Sequence, residues 1–180
     1  MADLSTLLGM IDIQTISMVS ATIGILIGVF NWIRKSSTAE RQRQTEIETR
    51  QAQLFMQIYD HFNETEFSTQ YVKILFHWEW KDFEDWWQKY GPEANVEENA
   101  SFASAARYYE GVGVLVKKGL IDLDLVGELM SSYIIRFWEP NEPVIKGIRE
   151  RLNWPEVFQG FEYLYYELKK YEEQHLELKT

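Results

Sequence analysis

The strongest hydrophobic pattern in the chain is a run of 21 residues without a charge, from Ile13 to Ile33. At about 1.5 Å of rise per helical residue, this run is roughly 30 Å long, which matches the hydrocarbon thickness of a bilayer. Its polar residues are small hydroxyls or lie near its ends, and small hydroxyls can bond to helix carbonyls in lipid. Residues 13–33 are therefore predicted to form a single transmembrane helix.

Two other interpretations of this run fit less well. A cleaved signal peptide needs cations before the apolar segment and a small-residue cleavage site after it. Residues 1–33 contain neither Lys nor Arg, and the run ends at Arg34 and Lys35. A buried helix of a soluble domain would show a polar face along its length, and this run has none.

The charges that flank the run predict an orientation. Several cations follow it within about 20 residues and none precedes it, so the positive-inside rule makes residues 1–12 a short extracytoplasmic N-terminus. The rest of the chain would lie in the cytoplasm, on the inner side of the cell membrane. Five side chains at this boundary are predicted to contact lipid headgroups: Trp32, Arg34, Lys35, Arg41 and Arg43.

Three small residues within the run, Ser20, Gly24 and Gly28, are spaced by four and share one helix face. Close backbone approach at small residues drives helix pairing in lipid. The spacing favours a helix-packing face, with a second copy or another membrane subunit as the partner, although small residues are also common in membrane helices by chance.

The sequence after the run predicts helices only. Ser37 to Glu40 fits a capping box, so either a juxtamembrane helix over 34–62 begins there or the first helix continues through it. An aromatic stripe with steps of four and three follows, at Phe76, Trp80, Phe83, Trp87 and Tyr90.

Capping signals divide the C-terminal half. A helix from about Val96 to Lys118 would end at Gly119, and Asp122 would begin the next helix. Pro140 and Pro143 are expected to break that helix.

Asn153 is predicted to cap a last helix, whose apolar face would begin with Trp154, Val157 and Phe158. No segment alternates with strand periodicity. The predicted fold is all-α, with one N-terminal transmembrane helix and a cytoplasmic bundle of about five helices, whose helical domain covers residues 63–180.

Two stretches carry a family resemblance: "ARYYEGVGVLVKKGLIDLDLVGELM" and "IIRFWEPNEPVIKGIRERLNWPEVFQGFEYL". Residues 96–176 resemble a family of uncharacterised prokaryotic proteins with a single N-terminal membrane helix and a helical cytoplasmic domain. The segment "GVLVKKGLIDLDLV" is the most specific part. The resemblance implies this architecture and no catalytic residues.

The residues themselves indicate no catalytic, cofactor-binding or metal site. The chain has three histidines and no cysteine, and it lacks a nucleophile motif. Gly111 and Gly113 lack the strand and the third glycine of a dinucleotide loop, so they are interpreted as places where another helix approaches. Glu172 and His175 form one Glu-x-x-His pair, whereas a di-iron bundle needs two. We expect a non-catalytic protein without a cofactor.

Charge disfavours a nucleic-acid partner, because the net charge of −10 repels phosphate. Residues 55–110 are acidic on balance, whereas residues 111–153 gather most cations of the C-terminal half. Both regions are interpreted as solvated helix faces, or alternatively as lobes that meet between subunits.

Trp78 and Trp86 lie off the aromatic stripe. They are candidates for an exposed partner contact, because aromatic anchors dominate interface energetics. The alternatives are a place in the core or contact with lipid headgroups.

Three functional hypotheses follow. The first is a non-catalytic, membrane-anchored accessory or assembly subunit that presents a helical interaction domain to a membrane protein complex, with the lipid bilayer and other subunits as partners. The second is a homo-oligomeric membrane scaffold. The third is an enzyme or ligand sensor whose pocket no motif reveals.

Overall fold

The computed structural model describes residues 13–177, except for the side chains at 13–17, 19–23, 27, 31, 33, 36–39, 176 and 177. Within this range the chain forms helices and no strand, which confirms the all-α class. There are six helices: α1 (Ile13–Phe62), α2 (Thr65–Phe76), α3 (Phe83–Tyr90), α4 (Val96–Lys117), α5 (Leu123–Arg151) and α6 (Gln159–Glu177).

The predicted transmembrane helix over residues 13–33 is wrong. Among the described residues, no helix combines the length and the apolar character needed to cross a membrane. The run instead belongs to α1, a helix of 50 residues that becomes polar and charged from Arg34 onward, which is the alternative in which the first helix continues. No new helix begins at Ser37, and residues 1–12 lie outside the described part. The predicted cellular location is not tested by these features and stays a prediction.

The chain divides into two units by its internal contacts, one up to Thr49 and one from Arg50 onward. In the second unit, the last turns of α1 pack into the helical domain, with Phe55 and Phe62 buried. Two long-range hydrogen bonds hold them there. The Tyr108 hydroxyl donates to the Ile58 carbonyl at 2.8 Å, and Gln51 Nε2 donates to the Gly119 carbonyl at 2.7 Å.

The most extensive packing is between α4 and α6. A Cβ atom on Gly113 would overlap the carbonyl oxygen of Gly160, so only glycine lets the two backbones come this close. Beside this contact, the Glu110 carboxylate accepts a hydrogen bond from the Phe161 N–H at 2.8 Å, in the first turn of α6. A side chain of α4 thus caps the N-terminus of α6, where backbone N–H groups have no partner within the helix.

The cap predicted at the end of α4 is confirmed. Gly119 has φ of 65°, and its N–H donates to the Val116 carbonyl at 2.9 Å. The Leu120 N–H donates to the Leu115 carbonyl at 2.9 Å, which completes a Schellman motif. Asp122 begins α5 as predicted, because its carboxylate accepts from the Asp124 N–H at 2.9 Å.

The break predicted at Pro140 and Pro143 does not occur, since α5 runs through both prolines. Each proline leaves one carbonyl without its helical donor, at Arg136 and Glu139. All four residues are exposed, so water can satisfy these carbonyls. On the opposite face, buried apolar side chains on both sides of the prolines hold the helix together: Phe137, Trp138, Val144, Ile145 and Ile148.

Two further boundaries differ from the prediction. Asn153 does not cap α6, which begins at Gln159, but lies just beyond the end of α5 with φ of 48°. The aromatic stripe is not one helix either, because residues 77–82 separate α2 from α3. Phe76, the first member of the stripe, is 68% exposed.

The close approach of α4 and α6 can be tested with two alanine substitutions on α4. Gly113→Ala places a methyl group against the Gly160 backbone, and we expect the free energy of unfolding to fall by about 1–3 kcal/mol, as for other overpacked sites. Gly111→Ala is the matched control, because a Cβ there would meet no atom within 4 Å. Alanine at that site should stabilise the protein by about 0.4–1 kcal/mol. Urea unfolding measures the free energy of unfolding of both variants. Changes of the same sign would contradict a close backbone contact at Gly113.

Candidate functional site

The predicted helix-packing residues lie on a part of α1 that is open. A Cβ atom on Gly24 or Gly28 would meet nothing within 4 Å. The side chain of Ser20 lies outside the described set. Among the described residues, none covers the helix face at Gly24 and Gly28, so this face is accessible to another molecule. The role of the face in helix packing stays a prediction.

Large apolar side chains are exposed next to these glycines. Ile25, Val29 and Trp32 are spaced by four and three, so they lie on one side of α1, and Leu26 and Phe30 extend this surface around the helix. All five are between 49% and 71% exposed. We call them the α1 apolar surface. Contiguous exposed apolar side chains of this kind mark sites of interaction.

The four cations of the predicted headgroup contact, Arg34, Lys35, Arg41 and Arg43, are also exposed on α1. They follow the α1 apolar surface within the same helix. Their contact with lipid, and that of Trp32, stays a prediction.

Trp78 and Trp86 do not form an exposed surface, so this prediction is wrong. Trp78 is 8% exposed and stacks on Tyr90 with ring centroids 4.1 Å apart. Trp86 is fully buried and meets the ring of Phe102 edge-on at 5.1 Å. Because residues 77–82 leave the helix, Trp78 turns inward rather than away from the stripe, and neither indole is available to anchor a partner.

The cations near the end of α5 are engaged within the chain. Arg151 contacts both carboxylate oxygens of Glu84 at 2.5 and 2.6 Å, and its guanidinium lies over the rings of Phe83 and Trp87 at 5.2 and 4.7 Å. Lys146 pairs with Glu142 at 2.8 Å. The pair of Arg151 and Glu84 joins the predicted basic and acidic regions inside one chain. A meeting of these regions between subunits stays a prediction.

Arg149 organises the turn between α5 and α6. Its Nε donates to the Val157 carbonyl at 2.8 Å, and its Nη1 pairs with Glu162 on α6 at 2.8 Å. Asn153 adopts its left-handed conformation here, and the Trp154 N–H donates back to the Arg149 carbonyl at 3.0 Å. These bonds at both ends of the turn fix its backbone.

This turn exposes two large apolar side chains, Leu152 at 51% and Trp154 at 56%. We call residues 152–156 the Trp154 turn. Sequence reasoning missed it because Asn153 was interpreted as a cap at a helix start. The signal was Pro155, since a residue that precedes proline is biased away from the helical region, which disfavours a helix through Trp154.

Two histidines and a tyrosine among the described residues make local polar contacts. His61 pairs with Glu64 at 2.9 Å, and His175 Nδ1 is 2.8 Å from the Tyr171 carbonyl. Burial raises the pKa of Tyr71 to about 12, so its hydroxyl stays protonated and donates to the Tyr133 carbonyl at 3.2 Å. Within residues 13–177, the described side chains include no group of three or more His, Cys, Asp or Glu that could hold a metal ion.

Two of the cavities in the domain that begins at Arg50 are lined by aromatic side chains. A cavity of about 540 Å³ is lined by polar residues of α5 and by Tyr171 and His175 of α6. A smaller one of about 150 Å³ is lined mainly by the rings of Phe62, Phe67 and Tyr133 with Tyr71. The larger cavity brings Ser131, Ser132, Glu172 and His175 to one surface. Among the described residues, no hydrogen bond joins either serine to His175, whose Nδ1 lies 2.8 Å from the Tyr171 carbonyl.

Residues 18–168 match the model of a family described as DUF4760, a domain of unknown function. This match confirms the predicted resemblance to an uncharacterised family. It says nothing of a membrane helix or of a prokaryotic origin. No curated protein and no solved structure matches the chain.

The role of Arg149 in the turn can be tested by Arg149→Met, which keeps the length of the side chain and removes its hydrogen bonds. We expect the free energy of unfolding to fall by about 1–3 kcal/mol, because the Val157 carbonyl and the Glu162 carboxylate lose their donor. Amide hydrogen exchange at Trp154 should become faster as the turn loosens.

Lys146→Met is the matched control, one turn earlier on α5, because it removes an exposed ion pair. Such pairs contribute about 0.2–1 kcal/mol at most. Equal losses of stability for the two variants, with unchanged exchange at Trp154, would show that Arg149 does not fix the turn.

Proposed function

The chain belongs to the DUF4760 family, and we propose that it is a non-catalytic accessory or assembly subunit. In this role, the helical domain from Arg50 onward is an interaction domain, and the α1 apolar surface binds other subunits. The family description assigns no activity, so the proposal depends on the geometry of the chain itself.

The observation that carries the proposal is the exposure of Ile25, Leu26, Val29, Phe30 and Trp32 on a single helix. Full removal of one such side chain from water contributes roughly 1.5–3 kcal/mol of favourable free energy. Five of them in eight residues are a strong driving force for association with another apolar surface. Trp and Phe are also large side chains whose burial dominates many interfaces.

The second candidate function is a homo-oligomeric scaffold, in which the partner is another copy of this chain. The open face at Gly24 and Gly28 favours it, because two helices with small residues in register can approach closely along the same face. The two candidates differ in composition: one predicts an assembly of different subunits, and the other an assembly of identical chains.

The proposal predicts that assembly depends on the α1 apolar surface. The full chain, purified in mild detergent from cells that contain its partners, should have a native mass above the 21.4 kDa of one chain. The double variant Ile25→Ser, Val29→Ser should shift this mass to that of one chain. The control Val96→Ser, Val114→Ser also replaces two exposed valine residues, on α4, and should leave the assembly intact. A mass that is the same for both variants would contradict the proposal.

Gly24→Ile tests the small-residue face. A branched side chain should separate helices that touch there, so we expect the assembly to dissociate while the helical circular dichroism is unchanged. Gly111→Ile is the matched control, because its Cβ position is equally open but lies on α4. Native mass spectrometry also reads the composition, which separates the two candidates. An assembly that survives Gly24→Ile would place the contact elsewhere on α1.

A further inference from the structure

We propose that the Trp154 turn, residues 152–156, is a docking knob for a partner protein whose contact surface is an apolar groove bordered by Lys or Arg. This inference rests on the proposed function, because it assigns a partner contact to the interaction domain. It concerns a different surface from the α1 apolar surface, so the two can fail separately.

The turn is built to hold a fixed shape. Asn153 has φ of 48° and Phe158 has φ of 57°, a left-handed conformation that residues other than glycine adopt rarely. The hydrogen bonds of Arg149 to Val157 and to Glu162 maintain this backbone. A fixed backbone loses little conformational entropy on binding, which favours a preformed contact.

The turn directs its largest side chain into solvent. Trp154 and Leu152 are both more than half exposed, although the domain buries other indoles such as Trp86 and Trp138 completely. Trp is among the residues that contribute most to binding when they fill a pocket on a partner. A groove that accepts both side chains would remove this apolar surface from water.

The charges around the turn indicate the chemistry of the groove. Glu150 and Glu156 flank the two apolar residues, and both are exposed. Among the described residues, neither carboxylate forms an ion pair or a side-chain hydrogen bond. In contrast, the nearby cations Lys146, Arg149 and Arg151 are each paired with a glutamate of the same chain.

The knob therefore presents an apolar centre with two unpaired negative charges beside it. Complementary potentials select partners and speed their encounter, so the groove should carry cations at its rim. The same carboxylates disfavour a surface of anionic lipid, because the negative surface potential of such a membrane repels them.

The test places a photoreactive benzoylphenylalanine at position 152 of the full chain, in cells of its natural host. We expect a crosslink to a protein segment that is rich in apolar residues and contains at least two Lys or Arg. Phe76 is the matched control position, because it is an exposed aromatic residue outside the turn. Trp154→Ser, combined with the probe, should lower the crosslink yield about tenfold or more, as expected for a central anchor residue.

Charge reversal provides the second arm of the test. Glu150→Lys, Glu156→Lys should lower the yield at position 152, whereas Glu93→Lys, Glu97→Lys makes the same change in net charge and should leave it unchanged. A crosslink to a second copy, to lipid alone or to an acidic segment would overturn the inference. A yield no higher than at Phe76, or one insensitive to both variants, would do the same. If the native mass of Ile25→Ser, Val29→Ser still falls to that of one chain in that case, the proposed function stands. Only the inference about the Trp154 turn then fails.

Discussion

The Glu110 carboxylate of α4 accepts a hydrogen bond from the Phe161 N–H at the point where Gly113 and Gly160 let two helix backbones meet. This contact fixes where α6 begins and how closely it lies against α4. It also brings the Phe161 ring against Tyr109, with centroids 5.0 Å apart, at the centre of the aromatic core. The position of the turn that precedes α6 depends on the same contact, because α6 cannot shift without breaking it.

Local signals in the sequence predicted a helix end correctly where the residue type at that end has a single usual role. Gly119 could be placed at a helix end because a left-handed residue there is usually glycine, and Asp122 could be placed at a helix start because its carboxylate accepts a nearby N–H. Asn153 has both abilities: it can cap a helix start or adopt the left-handed conformation at a helix end. The hydrogen bonds of Arg149 to Val157 and Glu162 fix the left-handed alternative, and the residue type of Asn153 alone does not predict them. Only Pro155, which disfavours a helix through Trp154, pointed to this outcome.

Other errors arose because periodicity does not distinguish a core from a surface. Pro140 and Pro143 are tolerated in α5 because they lie on its solvent side, whereas the sequence shows only that prolines interrupt helices in general. Trp86 was a candidate for an exposed contact, with the core as the alternative, and it is buried. Trp154 was expected on the apolar face of the last helix, and it is exposed. Whether an indole is buried depends on which helices pack against it, and that is set by the full fold.

Electrostatics links the packing of the domain to the charge of its surface. The fold pairs Arg149 and Arg151 with Glu162 and Glu84, because an arginine that is more than half buried is stable only when its charge is matched. These cations hold α3 and α6 against α5 and are not available to a partner. With a net charge of −10, the chain then presents an excess of carboxylates at its surface. Apolar contacts on such a surface favour sites that are bordered by cations, which is the chemistry we propose for the partner of the Trp154 turn.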